Sequence, residues 1–432
     1  MKKIGLLLLL KLLSANCGNA QVILEKIKDD VAIDQATKDT LPTVPPDSLY
    51  YEIIDAFKEE NDTIIEHISN VDYRKIVILL PFQFNKNNGY YSSKLDDKSK
   101  TATFLYEGMK MALDSLGKIG LYADVYVIDN TDNPQAIDSL MQLPHIRNAD
   151  LVLGPVYNPS IRIAVGYSVT NTLPFVSLMS PTSNLASYNP YFMQLNPSLD
   201  LLQRNLLIAC VKKQKNKKIY IVDSMEEEES IRRRKMQVYL DEINKHNESK
   251  VQLINITMLE DWAYKFDSTT ENVIIINSFK EQFAKEVSDK LKTVSSAVSF
   301  SIYGMPAWRD FKGMKELFYG KSVYCLTPYF YDNTAVNYLD ICKKFRKTNS
   351  LLPNETIIKG FDMMMFFGWQ MIRYKTDFWK KSVGVEYDGI TSYFKIGENK
   401  DPETATFNYY ENKHSFTLVF NAYEKRWIRY IE

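Results

Sequence analysis

Two short stretches of the sequence carry side chains that could hold a small ligand. Each stretch directly follows an apolar run of strand length, and together they contain the candidate ligand-binding residues Tyr157, Asn158, Ser180, Thr182 and Ser183. Hydroxyl and amide groups at the carboxyl end of a strand are suited to a carboxylate or a similar hydrogen-bond acceptor. The pattern therefore predicts a binding site rather than a reactive centre.

The residues that catalysis or metal binding would need are scarce. The chain has four histidines and four cysteines, none of which forms a recognised close-spaced pair. The sequence contains no Gly-x-Ser-x-Gly turn and no recognisable pairing of a nucleophile with a base. Asp129, Asp132 and Asp138 lack the glycine and the terminal glutamate of a calcium loop. We therefore predict that the protein is not an enzyme and has no catalytic residue, metal or cofactor.

The composition indicates a folded chain, and the charge balance indicates no particular class of partner. The 432 residues are 45% apolar and 13% aromatic, which indicates two or three domains with ordinary cores. Lys and Arg number 53, as do Asp and Glu, so the formal net charge is zero. This balance gives no indication of nucleic-acid binding.

The first 20 residues have the pattern of a secretory signal peptide. Lys2 and Lys3 precede the apolar run Ile4–Leu13, which is too short to span a membrane, and cleavage is expected near Ala20. The alternative is a lipobox that ends at Cys17, although asparagine precedes this cysteine where a small residue is usual. Either alternative predicts export, and plain cleavage predicts a periplasmic protein.

Residues 21–73 differ from the rest of the chain in charge and composition. They contain thirteen acidic residues and four lysines, a local net charge of 4 − 13 = −9, and the proline-rich stretch Leu41–Pro46. This composition predicts an acidic spacer between the leader and the folded part of the chain.

From Lys75 onward, apolar runs of strand length alternate with amphipathic helices. One helix carries the apolar face Leu105, Gly108, Met109, Ala112, Leu113 and Leu116. This alternation predicts α/β architecture with parallel sheets, and antiparallel strands are expected at the carboxyl terminus. The nine predicted strands are Ile76–Leu80, Tyr122–Ile128, Leu151–Leu153, Phe175–Leu178, Ile219–Val222, Val251–Ile256, Val273–Ile276, Val298–Tyr303 and Val323–Leu326.

A series of motifs in this region resembles the type I periplasmic-binding-protein superfamily, in particular its branched-chain amino acid and amide receptors. The motifs occur in the order Ile76–Pro81, Glu107–Met109, Ile128–Pro134, Leu153–Pro155, Pro174–Thr182, Tyr191–Pro197, Thr327–Phe330 and Gly360–Asp362. The resemblance implies two Rossmann-like lobes with parallel sheets, joined by a three-strand hinge. It places lobe one at 74–197 plus 331–386 and lobe two at 198–330 plus 387–432.

The resemblance also implies roles for the candidate residues. In the amino acid receptors, loops that match Tyr157–Asn158 and Ser180–Ser183 bind the ligand carboxylate, and an acid on the second lobe binds the ammonium. Here the corresponding second-lobe loops, Asn277–Phe279 and Tyr303–Trp308, contain no carboxylate. An uncharged, aromatic or peptidic ligand, or no ligand, therefore fits better. Trp308 either stacks on the ligand from the second lobe or covers the helix that follows it.

Two further stretches are interpreted structurally. Glu226–Glu229 and Arg232–Lys235 predict a solvated helix face, because acids lie in the first turn of the helix and bases follow. Met363–Phe367 predicts packing on a core helix rather than a pliable binding surface. Cys210 and Cys325 are expected to be small buried hydrophobic residues.

Two hypotheses from different classes follow. The first is an exported solute-binding protein without catalytic activity, which holds an amino acid, amide or peptide-like ligand between its lobes and has a transporter permease as partner. The alternative is an envelope interaction or regulatory protein that has kept the fold without a small ligand, resembles regulators of cell-wall synthases, and has an envelope protein as partner.

Overall fold

The computed structural model describes residues 20–25, 73–84, 95–247, 250–318, 320–401 and 404–431. In these ranges the chain forms two sheets, and helices pack on both of them. The predicted signal peptide, apart from Ala20, lies outside the described residues, as does most of the predicted acidic spacer.

The first sheet has nine strands in the order β1-β3-β2-β4-β5-β6-β14-β13-β12. Strands β1 to β6 and β14 pair in parallel, and β13 and β12 add an antiparallel edge. The first residues of the predicted spacer belong to β1. The strands are β1 Ala20–Glu25, β2 Arg74–Leu80, β3 Ala123–Asp129, β4 Leu151–Leu153, β5 Phe175–Ser177, β6 Phe192–Gln194, β12 Glu386–Asp388, β13 Tyr393–Lys400 and β14 Phe407–Asn412.

The second sheet has seven strands in the order β16-β15-β11-β10-β9-β7-β8. Strands β7 to β11 are parallel, while β15 and β16 pair antiparallel at the edge next to β11. The strands are β7 Lys218–Val222, β8 Gln252–Asn255, β9 Asn272–Ile276, β10 Phe300–Gly304, β11 Ser322–Thr327, β15 Phe416–Asn421 and β16 Arg426–Arg429.

Three of the long helices begin directly after a capping residue. Asp96, Ser198 and Asn354 each accept a backbone N–H of the first turn, which satisfies donors that the helix itself cannot satisfy. Two short 3-10 turns span Pro306–Asp310 and Lys375–Asp377. The α-helices are α1 Asp97–Gly117, α2 Pro134–Met141, α3 Pro144–Arg147, α4 Asn158–Thr170, α5 Leu199–Lys213, α6 Glu227–Lys245, α7 Glu281–Leu291, α8 Met314–Leu317, α9 Val336–Asn349, α10 Glu355–Tyr374 and α11 Phe378–Lys381.

The predicted architecture of two α/β lobes is confirmed. Each of the nine strands expected from apolar runs is present, and most of these runs are buried on both faces of a parallel sheet. The exception is β8, which lies at the edge of the second sheet and has no buried residue. Strands β1, β6, β12 and β13 were not predicted. Strand β1 lies where the spacer was expected to begin, and β6 is only three residues long. Strands β12 and β13 alternate in burial too weakly to be recognised.

The structure corrects the expected lobe boundary near the carboxyl terminus. Strand β14 pairs in parallel with β6, with Tyr410 opposite Met193, and β13 and β12 continue the first sheet. Residues 387–412 therefore belong to lobe one rather than to lobe two. Of the carboxyl-terminal strands, only β15 and β16 pack on the second lobe.

The core of lobe one is closed by contact between α1 and α10. Gly108 faces the backbone carbonyl of Ile357, and Gly360 faces that of Leu105, so the two helices approach through their glycines. The predicted apolar face of α1 is buried, as are four of the five residues in the Met363–Phe367 run. The prediction that this run packs in the core is confirmed.

The cysteines in the described ranges are buried and free. Cys210 and Cys325 lie in the core of lobe two, and Cys342 is buried on α9. Burial raises the pKa of the Cys210 thiol well above its ordinary value. The prediction that Cys210 and Cys325 behave as small buried hydrophobic residues is confirmed.

Candidate functional site

The polar loops meet at one edge of the first sheet. Strands β2 to β6 run parallel, so their carboxyl ends lie at the same edge. The loops that leave this edge contain residues 81–84, 129–133, 154–158, 178–183 and 195–198. The connection from β6 to the second sheet, residues 195–198, also leaves from this edge.

Three of the predicted site residues form a closed hydrogen-bonded triangle. The hydroxyl of Ser180 donates to Asn158 Oδ1 at 2.5 Å, and Asn158 Nδ2 donates to Thr182 Oγ1 at 2.6 Å. The backbone N–H of Thr182 donates to Ser180 Oγ at 3.2 Å. Two loops that are far apart in sequence are thus joined at the carboxyl ends of β4 and β5.

The triangle leaves donors that a ligand could use. Thr182 accepts a hydrogen bond through its hydroxyl oxygen, so its own hydroxyl hydrogen is available, and Asn158 has a second amide N–H. The neighbouring Ser183 is half-buried and adds a third hydroxyl. Gln194 Nε2 donates to the Ser180 carbonyl at 2.9 Å and holds the loop in place. The arrangement is suited to binding one acceptor group.

Tyr157 lies beside the triangle and is held by the first turn of α1. Its ring is half-buried, and Lys98 Nζ is 4.9 Å from the ring centroid. Burial is the main reason that the pKa of Tyr157 is raised, and Thr101 and Lys98 oppose it only in part. A hydrogen bond to Asp132 raises the pKa of Lys98. Tyr157 therefore keeps its hydroxyl proton at neutral pH and can donate a hydrogen bond.

Several buried polar atoms at the same edge have no hydrogen-bond partner among the described residues. They are Gln83 Oε1, Asn130 Nδ2, Ser160 Oγ, Ser177 Oγ and Gln194 Oε1. An unsatisfied buried polar atom costs about 1–3 kcal/mol, so such atoms are usually completed by water or a ligand. None of these residues was among the predicted ligand-binding residues. The sequence signal that could have identified them is a polar residue at the end of a buried strand or within the turn that follows it.

Trp308 is not exposed toward this edge. Its side chain is completely buried, stacks on Phe311 and Phe318 at centroid distances of 5.7 and 5.4 Å, and contacts Gly304. The indole Nε1 donates to the Ser278 carbonyl at 3.0 Å. Of the two alternatives for Trp308, packing inside the second lobe accounts for all of these contacts.

The second lobe contributes a cluster of paired charges that the sequence analysis did not identify. Asp223 directly follows β7 and accepts a hydrogen bond from Arg233 Nε at 2.8 Å. Glu229 is 3% exposed and accepts hydrogen bonds from the backbone N–H and the hydroxyl of Ser224. Arg232 Nη2 lies 3.6 Å from Glu229 Oε1. Neither acid is an unpaired carboxylate that could serve an ammonium group.

These contacts correct the prediction of a solvated helix face at the start of α6 in part. Glu226, Glu227, Glu228 and Arg234 are exposed as predicted. Glu229 is buried and Arg232 is half-buried, because Asn277, at the end of β9, contacts both of them. Arg232 Nε donates to Asn277 Oδ1 at 3.1 Å, and its guanidinium carbon lies 4.9 Å from the centroid of the Phe279 ring. Charge pattern alone could not reveal this contact, because β9 lies about 45 residues further along the chain.

The two lobes are joined by three crossovers, which lie at about 195–198, 328–335 and 413–415. Glu411 is 1% exposed and connects the first crossover to the third: it accepts from the backbone N–H of Ser198 at 2.8 Å and pairs with Lys413 Nζ at 3.1 Å. Near the second crossover, Phe330 N–H donates to the Thr391 carbonyl at 2.9 Å. The first and third crossovers are therefore linked directly, and the second is held by the segment between β12 and β13.

An ion pair links the lobes directly. Arg309 Nη2, from the second lobe, donates to Glu355 Oε2 on α10 of the first lobe at 2.8 Å, and Lys359 pairs with the other Glu355 oxygen at 2.5 Å. Arg309 Nη1 also donates to the Tyr329 carbonyl in the second crossover at 3.0 Å. Burial opposes ionisation of Glu355, but the two cations together lower its pKa below the ordinary value.

We expect this interlobe pair to contribute a measurable coupling to stability. In a double-mutant cycle of Arg309→Gln and Glu355→Gln, the interaction term in the free energy of unfolding should be about 1–2 kcal/mol, because both side chains are largely buried and hydrogen-bonded. The matched control uses the same arginine with Asp310, which lies 3.6 Å away but is 76% exposed. That cycle should give less than about 0.5 kcal/mol. Equal coupling in the two cycles would contradict the assignment.

Neither a metal cluster nor a membrane-spanning helix is found in the described ranges. These residues contain no group of three or more His, Cys, Asp or Glu side chains placed to hold a metal ion. None of the helices described there combines the length and apolar character that crossing a bilayer requires.

Comparison with solved structures identifies the fold. A putative branched-chain amino acid ABC transporter protein from Rhodospirillum rubrum matches with a TM-score of 0.57 and 12% identity, over 82% of this chain and 99% of that one. An ABC transporter substrate-binding protein from Desulfitobacterium hafniense in complex with Leu matches with a TM-score of 0.52 and 11% identity, over 83% and 100% of the two chains.

A third match supports the same conclusion. An ABC-type branched-chain amino acid transporter protein from Rhodopseudomonas palustris gives a TM-score of 0.51 and 13% identity, over 79% of this chain and 95% of that one. No protein-family model matches the chain, and the search of curated proteins found no match. The chain thus has the type I periplasmic-binding fold, and the predicted resemblance is confirmed at the level of the fold.

Proposed function

We propose that the protein is a non-catalytic solute-binding protein that closes its two lobes on a small ligand. The observation that carries this proposal is the hydrogen-bonded triangle of Asn158, Ser180 and Thr182, with unused donors, beside buried polar atoms that have no partner in the described ranges. A ligand enclosed between the lobes would supply hydrogen-bond partners for these groups. On a permanently hydrated surface, water would supply them and no ligand would be required.

The site favours an amino acid, amide or peptide-like ligand with one hydrogen-bond acceptor group. Tyr157, Asn158, Thr182 and Ser183 would bind the acceptor, and Ser180 would orient Asn158. On the second lobe Asp223, after β7, and Glu229, in the first turn of α6, are already paired with arginines, so an amide or a peptide fits better than a free ammonium group. Trp308 would support the wall of the second lobe through Ser278 rather than contact the ligand.

The proposal includes the setting of the protein. The amino-terminal pattern supports export to the periplasm, and a transporter permease is the partner that a solute-binding role would require. The solved structure from Desulfitobacterium hafniense was determined in complex with Leu, which supports an amino-acid-like ligand class.

A binding screen tests the proposal. The purified protein is screened by thermal shift against amino acids, amides, short peptides and sugars, and calorimetry then measures the affinity of any hit. Saturation at about 100 times Kd should stabilise the protein by about 2.7 kcal/mol. Thr182→Val should weaken binding roughly tenfold, because one hydrogen bond of about 1–1.5 kcal/mol is lost.

The control is the same substitution at an exposed threonine. Thr348→Val, on α9, should leave the affinity unchanged, since the hydroxyl of Thr348 contacts only the Lys344 carbonyl. A stable fold that no compound shifts would contradict the proposal and favour the alternative of an envelope interaction protein. A hit whose affinity is indifferent to Thr182→Val would contradict the proposed site.

A further inference from the structure

The second lobe contains a cavity that is separate from the polar edge described above. Its volume is about 340 Å³, and it lies between the turn that follows β10 and the hairpin of β15 and β16. None of the proposed ligand-binding residues lines it. Pockets that hold small molecules have volumes from about 300 Å³ upward, so this cavity is large enough for a compact ligand.

The charge around the cavity is predominantly positive. Arg309, Lys312 and Lys425 line it, whereas Glu316 is the single carboxylate among its lining residues. Lys312 and Lys425 form no ion pair with any residue in the described ranges, so their charges are not neutralised by the protein there. Arg309 is fixed in position by Glu355 and the Tyr329 carbonyl. Because Glu355 already pairs with Arg309, the excess positive charge comes from Lys312 and Lys425, which outnumber Glu316, and it favours an anion.

The walls of the cavity are aromatic and held by packing. Phe420 and Trp427 are directly opposite one another on β15 and β16, with ring centroids 5.4 Å apart and planes at 70°. Phe311 is stacked on the buried Trp308. Rings fixed in this way can pack against a flat apolar body without a large loss of side-chain entropy.

We propose that this cavity is a second small-molecule site and that it binds an aromatic carboxylate. The carboxylate would lie among Arg309, Lys312 and Lys425, and its ring would pack against Phe420 and Trp427. The site goes beyond the proposed solute-binding function, because it involves one lobe and does not require the lobes to close.

Benzoate is the probe for this site. Benzamide has the ring without the charge and acetate has the charge without the ring, so the three compounds separate the two contributions. Benzoate should bind saturably at millimolar concentration and change the fluorescence of Trp427, and benzamide and acetate should bind at least about tenfold more weakly. Trp427→Leu should abolish the fluorescence change.

Variants assign the binding to the cavity. The double substitution Lys312→Gln and Lys425→Gln should weaken benzoate binding about tenfold or more, because two attractive charges are removed. The matched double substitution Lys343→Gln and Lys347→Gln, on the exposed face of α9, should not change it. Circular dichroism verifies that the variants are folded.

Three outcomes would overturn the inference. Benzoate that does not saturate, or that binds no better than benzamide and acetate, would exclude an aromatic carboxylate site. Binding that survives the Lys312 and Lys425 substitutions would exclude this cavity. Binding that is instead reduced by Thr182→Val would assign benzoate to the interlobe site, and it would leave the proposed solute-binding function intact.

Discussion

Replacing Asp362 with alanine is expected to lower the free energy of unfolding by about 3–5 kcal/mol. The Asp362 carboxylate is completely buried on α10 and accepts three backbone N–H groups, those of Ile390, Thr391 and Ser392, at 2.8–3.0 Å. The hydroxyl of Thr391 donates a fourth hydrogen bond at 2.9 Å. Alanine would remove the acceptor of the three backbone N–H groups and leave the Thr391 hydroxyl with Ser392 Oγ, at 3.2 Å, as its remaining hydrogen-bond partner. Chemical denaturation measures the loss.

The loss of the Asp362 carboxylate should also weaken the hinge between the lobes. The segment that Asp362 holds also accepts the N–H of Phe330 in the second crossover, so loosening it would weaken the connection between the lobes. Asp388→Ala is the matched control, because Asp388 is an exposed acid on the neighbouring strand β12. The control should change stability by less than about 0.5 kcal/mol. Similar losses in the two variants would contradict the role of Asp362.

The same carboxylate should make stability depend on pH. Burial raises the pKa of Asp362 to about 6, although the hydrogen bonds from Ile390, Thr391 and Ser392 favour the ionised form. In the unfolded chain the pKa of aspartate is about 3.9, so the native state holds its proton more tightly. This contribution to stability is present in full below about pH 4 and is lost as the pH rises through about 6. Stability relative to the non-titrating Asp362→Asn should fall over that interval, and a constant or rising difference would show that hydrogen bonding outweighs burial.

The second large effect is expected where α1 and α10 touch. A methyl group on Gly108 would lie 1.8 Å from the Ile357 carbonyl oxygen, and one on Gly360 would lie 2.2 Å from that of Leu105. Both neighbours are backbone atoms that cannot rotate away, so the helices would have to separate. Gly108→Ala and Gly360→Ala should each cost about 3 kcal/mol in the free energy of unfolding.

A third helical glycine separates steric conflict from helix propensity. Gly166 is exposed on α4, and a methyl group added to it would have no neighbouring atom within 4 Å. Gly166→Ala should leave stability unchanged or increase it by up to about 1 kcal/mol, because alanine is the better helix former. Stability changes of the same sign and size in all three variants would show that the close contact between α1 and α10 does not determine these changes. Thermal and chemical denaturation of the three variants make the comparison.

Much of the fold could be predicted because burial in a parallel sheet is visible in the sequence. Runs such as Ile76–Leu80 and Val273–Ile276 are apolar at every position, as strands covered on both faces must be. Part of the candidate site could be predicted for a related reason: the carboxyl ends of β4 and β5 lie at one edge, so Asn158, Ser180 and Thr182 had to be near one another.

The remaining features depend on pairings that are distant in sequence. Alternating residues indicate a strand but not its partner, so the pairing of β14 with β6 was decided by tertiary contact. Trp308 had two plausible roles, and only the rings of Phe311 and Phe318 distinguish between them.

The partners of charged side chains likewise depend on tertiary structure rather than on local sequence. The sequence by itself determined the α/β architecture and the polar loops that follow its strands, because local hydrophobic pattern encodes burial, and the resemblance of its motifs implied the two lobes. Only the tertiary structure decided that Glu355 meets Arg309, that Asp362 holds residues 390–392 and that Glu229 is buried. The physical reason is that an ionised side chain is equally compatible with water and with a buried partner until the fold brings that partner to it.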